Sequence, residues 1–425
     1  MHQRLLTVSA IICVSGGAAV LGGQASLPRI DRDLYKQMLA DIRNDVEKNY
    51  YDPKFRGIDL ATIFKDASDK LAAAGSATEA IDVITNTLFQ FGDSHTRFYP
   101  PARATRADYG WTMAAVGDAP LITWVDPSSD AARRGLAAGD RVLALNRFQP
   151  TRENLWQIRH YYGVVRPQAQ QRLIVRKPDG SERTLDVQSK VERRQVIQIM
   201  DAIDEYIDEV FAESDSDYVV APSILVWRMT AFRDPRALGP FIDRARKAKA
   251  LVLDLRDNSG GALNGLKALV GWLFDRDVHV MTRIGRKGEE KIIAKPTSRP
   301  FLGNLVVLVN SESASASEIL ARIVQLEKRG TVIGDRSGGA VMVSMRIPHE
   351  FGIGNVTFYG TSVTIADVRM PDGGQLEHVG VTPDELLLPT PADLAAGRDP
   401  VLARAIALAG GSLTPEQAGK LYLGK

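Results

Sequence analysis

Four serines alternate through Ser311-Glu-Ser-Ala-Ser-Ala-Ser317, where the apolar run from Leu305 to Val309 gives way to a helical pattern. Two chemistries fit that junction. Ser315 and Glu318 have the Ser-x-x-Glu spacing of a capping box, in which hydroxyl and carboxylate satisfy free backbone N–H groups at a helix start. A serine at such a start is also placed beside free N–H groups and the positive end of the helix dipole, which suits a nucleophile. A second stretch, Asp254-Leu-Arg-Asp-Asn-Ser-Gly-Gly261, puts paired glycines where a strand gives way to a helix. Gly260 and Gly261 allow a tight turn with N–H groups turned outward, a candidate oxyanion hole. A serine needs a base. After the N-terminal segment the histidines are His95, His160, His279, His349 and His378, none at metal-ligand spacing. His95 stands in Asp93-Ser-His-Thr96, among residues able to orient an imidazole.

The rest of the composition bounds the answer. At 425 residues the chain predicts two to three domains, and 44% hydrophobic with 24% charged residues is ordinary globular composition. A formal net charge of +2 and no long basic block argue against nucleic-acid binding. The N-terminus has a short region with Arg4, an apolar stretch from Leu5 and small residues near Ala25, which reads as a secretory signal over residues 1–25. The one cysteine, Cys13, lies inside it, so the mature chain is expected to have no disulfide and no thiol chemistry.

Four-residue spacing of Leu34, Met38, Ile42 and Val46, and a second run from Thr78 to Gln90, predict a helical segment over 26–102 that ends in the loop carrying Ser94 and His95. Residues 103–191 switch to short strands and turns, with a hairpin turn at Asp179-Gly180. Gly135-Leu-x-x-Gly139-Asp140, with a short helix before it and a strand after it, resembles a PDZ domain. The resemblance implies a groove that takes an extended C-terminal peptide as an added strand. The loop Tyr109-Gly110-Trp111-Thr112 would then hold its carboxylate. A polar span over 192–219 reads as a connector. From 220 to 390, aliphatic strands at 250–257, 304–310 and 331–335 alternate with helical runs at 238–249, 263–274 and 315–328, which predicts a parallel sheet covered on both faces. Residues 391–425 form a tail.

The order "DSHTRFYPP", PDZ-like insert, "LVLDLRDNSGG", "VVLVNSESASASEI", "GTVIGD", "LEHVGVTPD" resembles the C-terminal processing (tail-specific) serine peptidases and the related tricorn core peptidases, over roughly residues 31 to 390. The resemblance implies an α/β, crotonase/ClpP-like catalytic core with a helical N-terminal segment and an inserted PDZ-like β-rich domain. It implies Ser315 as nucleophile and the N–H groups of Ala316 and of Gly260 or Gly261 as oxyanion donors. Members with a Ser–Lys dyad carry a lysine where this chain has Ala340, and Arg336 nearby stays protonated. Tricorn-type members use a Ser-His-Ser-Glu tetrad instead, which maps onto Ser94, His95, Ser315 and Glu377.

The expectation is therefore an exported, periplasmic or extracellular serine endopeptidase. His95 takes the proton of Ser315, and no metal or organic cofactor is implied. Its partners are protein or peptide substrates met through their C-termini. No nucleic acid is expected, membrane contact comes only through an uncleaved signal, and the oligomeric state is left open. His378 is the alternative base, and a non-catalytic peptide- or apolar-ligand-binding protein on the same scaffold is the alternative function.

Overall fold

The computed structural model describes residues 29–101, 105–193, 215–221, 223–352 and 356–421. The signal segment expected over 1–25 and most of the 192–219 connector lie outside the described residues. No helix among the described residues is long and apolar enough to cross a membrane.

The C-terminal half is built on a six-stranded sheet. Its order is Glu385–Leu386, Thr331–Gly334, Asn304–Val309, Ala250–Asp254, Ile224–Arg228, Ser216–Ala221, parallel except for the last pair. The edge strand begins at Ser216, inside the stretch read from sequence as connector. The strands are apolar without interruption because both faces are covered. Along Ala250–Asp254, Leu251 and Leu253 pack with the helices Leu263–Leu273 and Ala316–Leu326, while Ala250 and Val252 pack with Pro400–Leu408. The tail thus closes the second face of its own sheet.

The strands Ala250–Asp254, Asn304–Val309 and Thr331–Gly334 are parallel neighbours joined by helices, the first connection also carrying the hairpin Val278–Gly285/Gly288–Ala294 of the second sheet, so all three end on the same edge. Ligand sites in open parallel sheets form beyond such carboxyl ends. Here the edge brings together Leu255–Ala262, Asn310–Ser315 and Asp335–Ala340, three segments far apart in the chain.

A second sheet supplies the other wall. The long strand Thr357–Arg369 pairs with Met342–Phe351, with Arg97–Tyr99 and with Val278–Gly285. One face of it, with Phe98, Tyr359 and Val363 buried, packs on the N-terminal helices Arg29–Asn49, Leu60–Ala73 and Ala77–Phe89. The insert is a five-stranded antiparallel sheet in the order Trp111–Val116, Ala119–Val125, Arg141–Leu145, Gln170–Arg176, Glu182–Gln188. A two-stranded ribbon, Thr105–Asp108 with Lys190–Arg193, joins its ends.

The loop carrying Ser94 and His95 is pinned by Asp93, which is only 2% exposed. Its Oδ1 accepts from the His95 N–H (3.0 Å), the Thr96 N–H (2.7 Å) and the Thr364 hydroxyl (2.8 Å). Its Oδ2 accepts from the hydroxyls of Tyr50 (2.9 Å) and Thr96 (2.9 Å). Asp93 therefore orients the loop backbone between the end of the first helix and the long strand, and not the imidazole. Orphaning a buried donor costs about 1–3 kcal/mol, so Asp93→Ala is expected to lower unfolding free energy by roughly 3 kcal/mol or more, read as a fall in the urea midpoint. A change within about 0.5 kcal/mol would show that the loop is held by something else.

Candidate active site

Three of the four serine hydroxyls are committed to backbone carbonyls. Ser311 donates to Ala115 O (2.7 Å), Ser313 to Leu255 O (2.7 Å) and Ser317 to Asn258 O (2.8 Å). Ser315 alone keeps an uncommitted hydroxyl among the described residues. It is the N-cap of Ala316–Leu326 at φ 55°, ψ −116°, and its side chain makes no capping bond. The Glu318 N–H goes to the Ser315 carbonyl instead (3.0 Å). The carboxylate half of the anticipated capping box is well formed, with Glu318 Oε2 accepting the Ser315 N–H at 3.1 Å, while the Ser315 side chain stays near the Glu318 N–H without a well-aligned hydrogen bond. A serine in this sparsely populated backbone region costs of order 1–3 kcal/mol and needs its surroundings to hold it there.

Those surroundings are the other two loops. The Ser315 N–H also donates to Ala340 O (2.9 Å). Glu318, fully buried, accepts from the Ser337 hydroxyl (2.6 Å), the Gly339 N–H (2.7 Å) and the Ala340 N–H (2.9 Å). It is a clamp between the helix that follows Ser315 and the 337–340 loop, with no ion-pair partner among the described residues. Ala340, at the position where a lysine would act, presents its backbone to Ser315. Arg336 points away to Asp118 (3.7 Å).

The glycine turn is tied to the serine loop by Asn258, which is fully buried. Its carbonyl accepts the Ala314 N–H (3.0 Å), and its side chain takes the Gly260 N–H (2.9 Å) and donates to Met229 O (2.8 Å). Gly260 is at φ +103°, and a Cβ there would lie 2.6 Å from Ser315 Cβ. Of the three anticipated oxyanion donors, Gly260 has therefore spent its N–H on Asn258. Gly261 and Ala316 keep theirs free among the described residues, and both line the same cleft as Ser315.

Ser94, His95 and Glu377 come together although 283 positions separate Ser94 from Glu377. Glu377 accepts the Ser94 N–H (2.9 Å), the Ser94 hydroxyl (3.0 Å) and the Val341 N–H (2.6 Å). Ser94 Oγ is 2.7 Å from His95 Nδ1. Since the Ser94 proton goes to Glu377, the hydroxyl oxygen accepts from Nδ1–H, which leaves a lone pair on Nε2. Nε2 and Ser315 Oγ line one cleft without a hydrogen bond between them in this structure. His378 lies 3.7 Å from Glu377 Oε1 and is half exposed. Among the other histidines, His160 bonds Phe98 O, His279 bonds Thr282 and His349 bonds Asp45.

Burial and the Arg97 charge hold the His95 imidazole below its usual value, so it is neutral at neutral pH. Burial raises the Glu377 carboxyl, opposed by the Ser94 and Val341 donors and by His378.

The loop Tyr109–Thr112, anticipated as a carboxylate holder, is largely engaged by the chain itself. The Gly110 N–H goes to Asp108 Oδ1 (2.9 Å), and the Tyr109 hydroxyl bonds Tyr162 O (3.3 Å) and takes the Gln168 N–H (2.9 Å). Trp111 and Thr112 begin the edge strand of the insert. Ser311 and Arg159 cap that edge at Ala115 O and Met113 O (2.8 Å).

Asn258 and the clamping roles of Asp93 and Glu318 escaped the sequence reading. The Asn of Asp-Leu-Arg-x-Asn was the available signal.

Residues 223–387 match peptidase family S41. That stretch holds Gly261, Ser315, Ala316 and Glu377 but not Ser94 or His95. The chain is 24% identical over 367 residues to the chloroplastic C-terminal processing peptidase of Tetradesmus obliquus, covering 82% of this chain and 77% of that one. It is 23% identical over 388 residues to the tail-specific protease of Haemophilus influenzae, covering 85% of this chain and 53% of that one. Among solved structures, mature CPAF superposes with a TM-score of 0.64 at 14% identity, covering 86% of this chain and 94% of that one, a likeness of fold.

Burial pushes the Glu318 carboxyl up to about 7 against the pull of its four donors. The folded state then holds this proton to higher pH than the unfolded state does, so stability is fully present below about pH 4.5 and declines as pH rises toward 7. Glu318→Gln is expected to remove that decline from the difference between the two pH–stability curves measured by urea unfolding. Parallel curves would show that the carboxyl titrates alike in both states.

Proposed function

We propose that this chain, whose residues 223–387 match peptidase family S41 and which is similar over most of its length to C-terminal processing peptidases, is a histidine-activated serine endopeptidase of the tricorn-like branch. Ser315 is the nucleophile, His95 the general base, Ser94 and Glu377 the groups that orient and stabilise the imidazole, and Gly261 and Ala316 the oxyanion donors. One observation carries this reading: the Glu377–Ser94–His95 chain of hydrogen bonds commits Nδ1 as a donor and leaves Nε2 to take a proton. Ala340 in place of a lysine supports it, because no other base stands at that position.

In the first step Nε2 removes the Ser315 proton as Oγ bonds to the scissile carbonyl carbon. The carbonyl oxygen becomes an oxyanion facing two N–H groups, a type of contact worth about 10²–10³ in rate per donor. His95, now cationic, is stabilised through Ser94 by the Glu377 charge and returns its proton to the leaving amine. Water then enters, gives its proton to His95 and attacks the acyl carbon, which releases the acid and restores Ser315. The missing Ser315–His95 hydrogen bond is in keeping with sites whose catalytic bonds tighten only once substrate is bound. The insert is read as a PDZ-like module and residues 1–25 as an export signal, so that the enzyme acts outside the cytoplasm on protein or peptide substrates.

A fluorophosphonate probe followed by mass spectrometry tests the reading. Label is expected on Ser315 alone, slowed about 10²–10⁴-fold in His95→Ala, with Ser94→Ala between that variant and wild type. Because His95 sits below its usual value, the wild-type labelling rate should hold well into mildly acidic pH and fall only as the imidazole protonates. A wild type that stays unlabelled, or a His95→Ala protein labelled at the wild-type rate, would overturn the reading and favour a binding protein on this scaffold.

A further inference from the structure

The outermost strand of the insert, Trp111–Val116, places Ala115 opposite Pro120 of its neighbour. Proline has no N–H to give to the ladder. The Ala115 carbonyl therefore turns to the open side, and Met113, two residues back, turns the same way. An extended peptide joins a sheet by bonding to such outward groups at alternate residues. Here both carbonyls already have donors: Met113 O takes Arg159 Nη2 (2.8 Å) and Ala115 O takes the Ser311 hydroxyl (2.7 Å).

The two donors come from different parts of the fold. Arg159 lies on the helix Leu155–His160 of the insert, and Ser311 lies on the loop that leads to Ser315. Arg159 also pairs with Glu312, the residue after Ser311, with Nη2 2.6 Å from Oε1. Strand, helix and loop are thus tied together at one place. The turn at the end of the strand is held as well. The Gly117 N–H donates to Asp335 Oδ2 (2.9 Å), and Arg152 pairs with the same oxygen (3.1 Å) while donating to Gly117 O and Arg336 O. Asp335 opens the loop whose Ala340 carbonyl accepts the Ser315 N–H.

This gives a role to the serines that the proposed chemistry leaves over. Ser313 and Ser317 tie their segment to the Leu255–Asn258 turn, and Ser311 ties it to the insert. A peptide can enter the edge at Met113 and Ala115 only by breaking the Arg159 and Ser311 bonds, which also seat the loop that bears Ser315. Resting on the assignment of Ser315 above, we propose that Ser311 and Arg159 are positioning residues that fasten this loop to the insert. The edge strand is then a fixed wall of the cleft, closed to strand addition by a substrate's C-terminus.

Two readouts test the two halves. Fluorophosphonate labelling, resolved into a half-saturating probe concentration and a saturating rate, reports on Ser315 with a probe too small to need the edge strand. Ser311→Ala and Arg159→Gln are each expected to cut the saturating rate by about ten-fold or more. The half-saturating concentration, the acid limb of the pH profile and the urea midpoint should stay near wild type, and Ser311→Thr, which keeps the hydroxyl, should recover most of the rate. Labelling of either variant at the wild-type rate would overturn its role, as would a loss that Ser311→Thr does not recover. Hydrogen–deuterium exchange over residues 111–116 of the Ser315→Ala protein reads the edge itself. Decapeptides with free C-termini ending in Ala, Val, Leu or Phe, each at about 1 mM to fill even a weak site, are expected to leave that exchange unchanged. Slowed exchange at Met113 and Ala115 would show strand addition and overturn the closed edge. A wild type that stays unlabelled would fell the assignment of Ser315 and the positioning role with it, whereas the exchange result stands by itself.

Discussion

The C-terminal half of the molecule is arranged around keeping Ser315 at φ 55°. An L-residue does not rest there unaided. The strand Asn304–Val309 delivers the chain, the helix Ala316–Leu326 receives it, and the kink between them leaves Oγ at the helix start without a capping hydrogen bond. Both partners of the Ser315 N–H come from this arrangement: the Ala340 carbonyl from the next loop and the Glu318 carboxylate from the helix itself. Gly260 then closes against Ser315 Cβ at a distance no side chain would allow.

Three acidic residues, Asp93 and Glu318 buried and Glu377 partly so, divide the work of holding loops together. Asp93 fixes the loop that bears His95, Glu318 the loop that touches Ser315, and Glu377 joins those two loops through Ser94 and Val341. Each is satisfied by N–H and O–H donors more than by cations. Directional donors set positions as well as energy, whereas an ion pair between flexible side chains tolerates more geometries. Glu377 is the one that also belongs to the proposed chemistry, since the same carboxylate that aligns Ser94 would face the imidazolium at one remove.

Much of this was legible in the sequence. Uninterrupted aliphatic strands alternating with amphipathic helices announced a parallel sheet, and the helix Ala316–Leu326 starts within a residue of its expected place. Ser94, His95 and Glu377 were grouped only through the family resemblance, and the structure brings the three into hydrogen-bonding distance. Three things were out of reach. The pairing of Met342–Phe351 with Thr357–Arg369 depends on partners that no local pattern specifies, and Pro348 obscures the first strand. Which glycine of the pair keeps a free N–H depends on where the Asn258 side chain turns. Whether Ser315 caps its helix depends on a backbone angle that the capping-box spacing leaves open.

The central claim is that a neutral His95, protonated on Nδ1, waits with an open Nε2. Nitrogen-15 NMR of histidine-labelled protein at neutral pH, with the signal assigned by His95→Ala, observes this directly. The account predicts an Nδ1–H tautomer whose Nε2 shift is that of an unprotonated nitrogen, altered by Ser94→Ala. An Nε2–H tautomer, or an imidazolium at neutral pH, would contradict it, since neither could take a proton from Ser315.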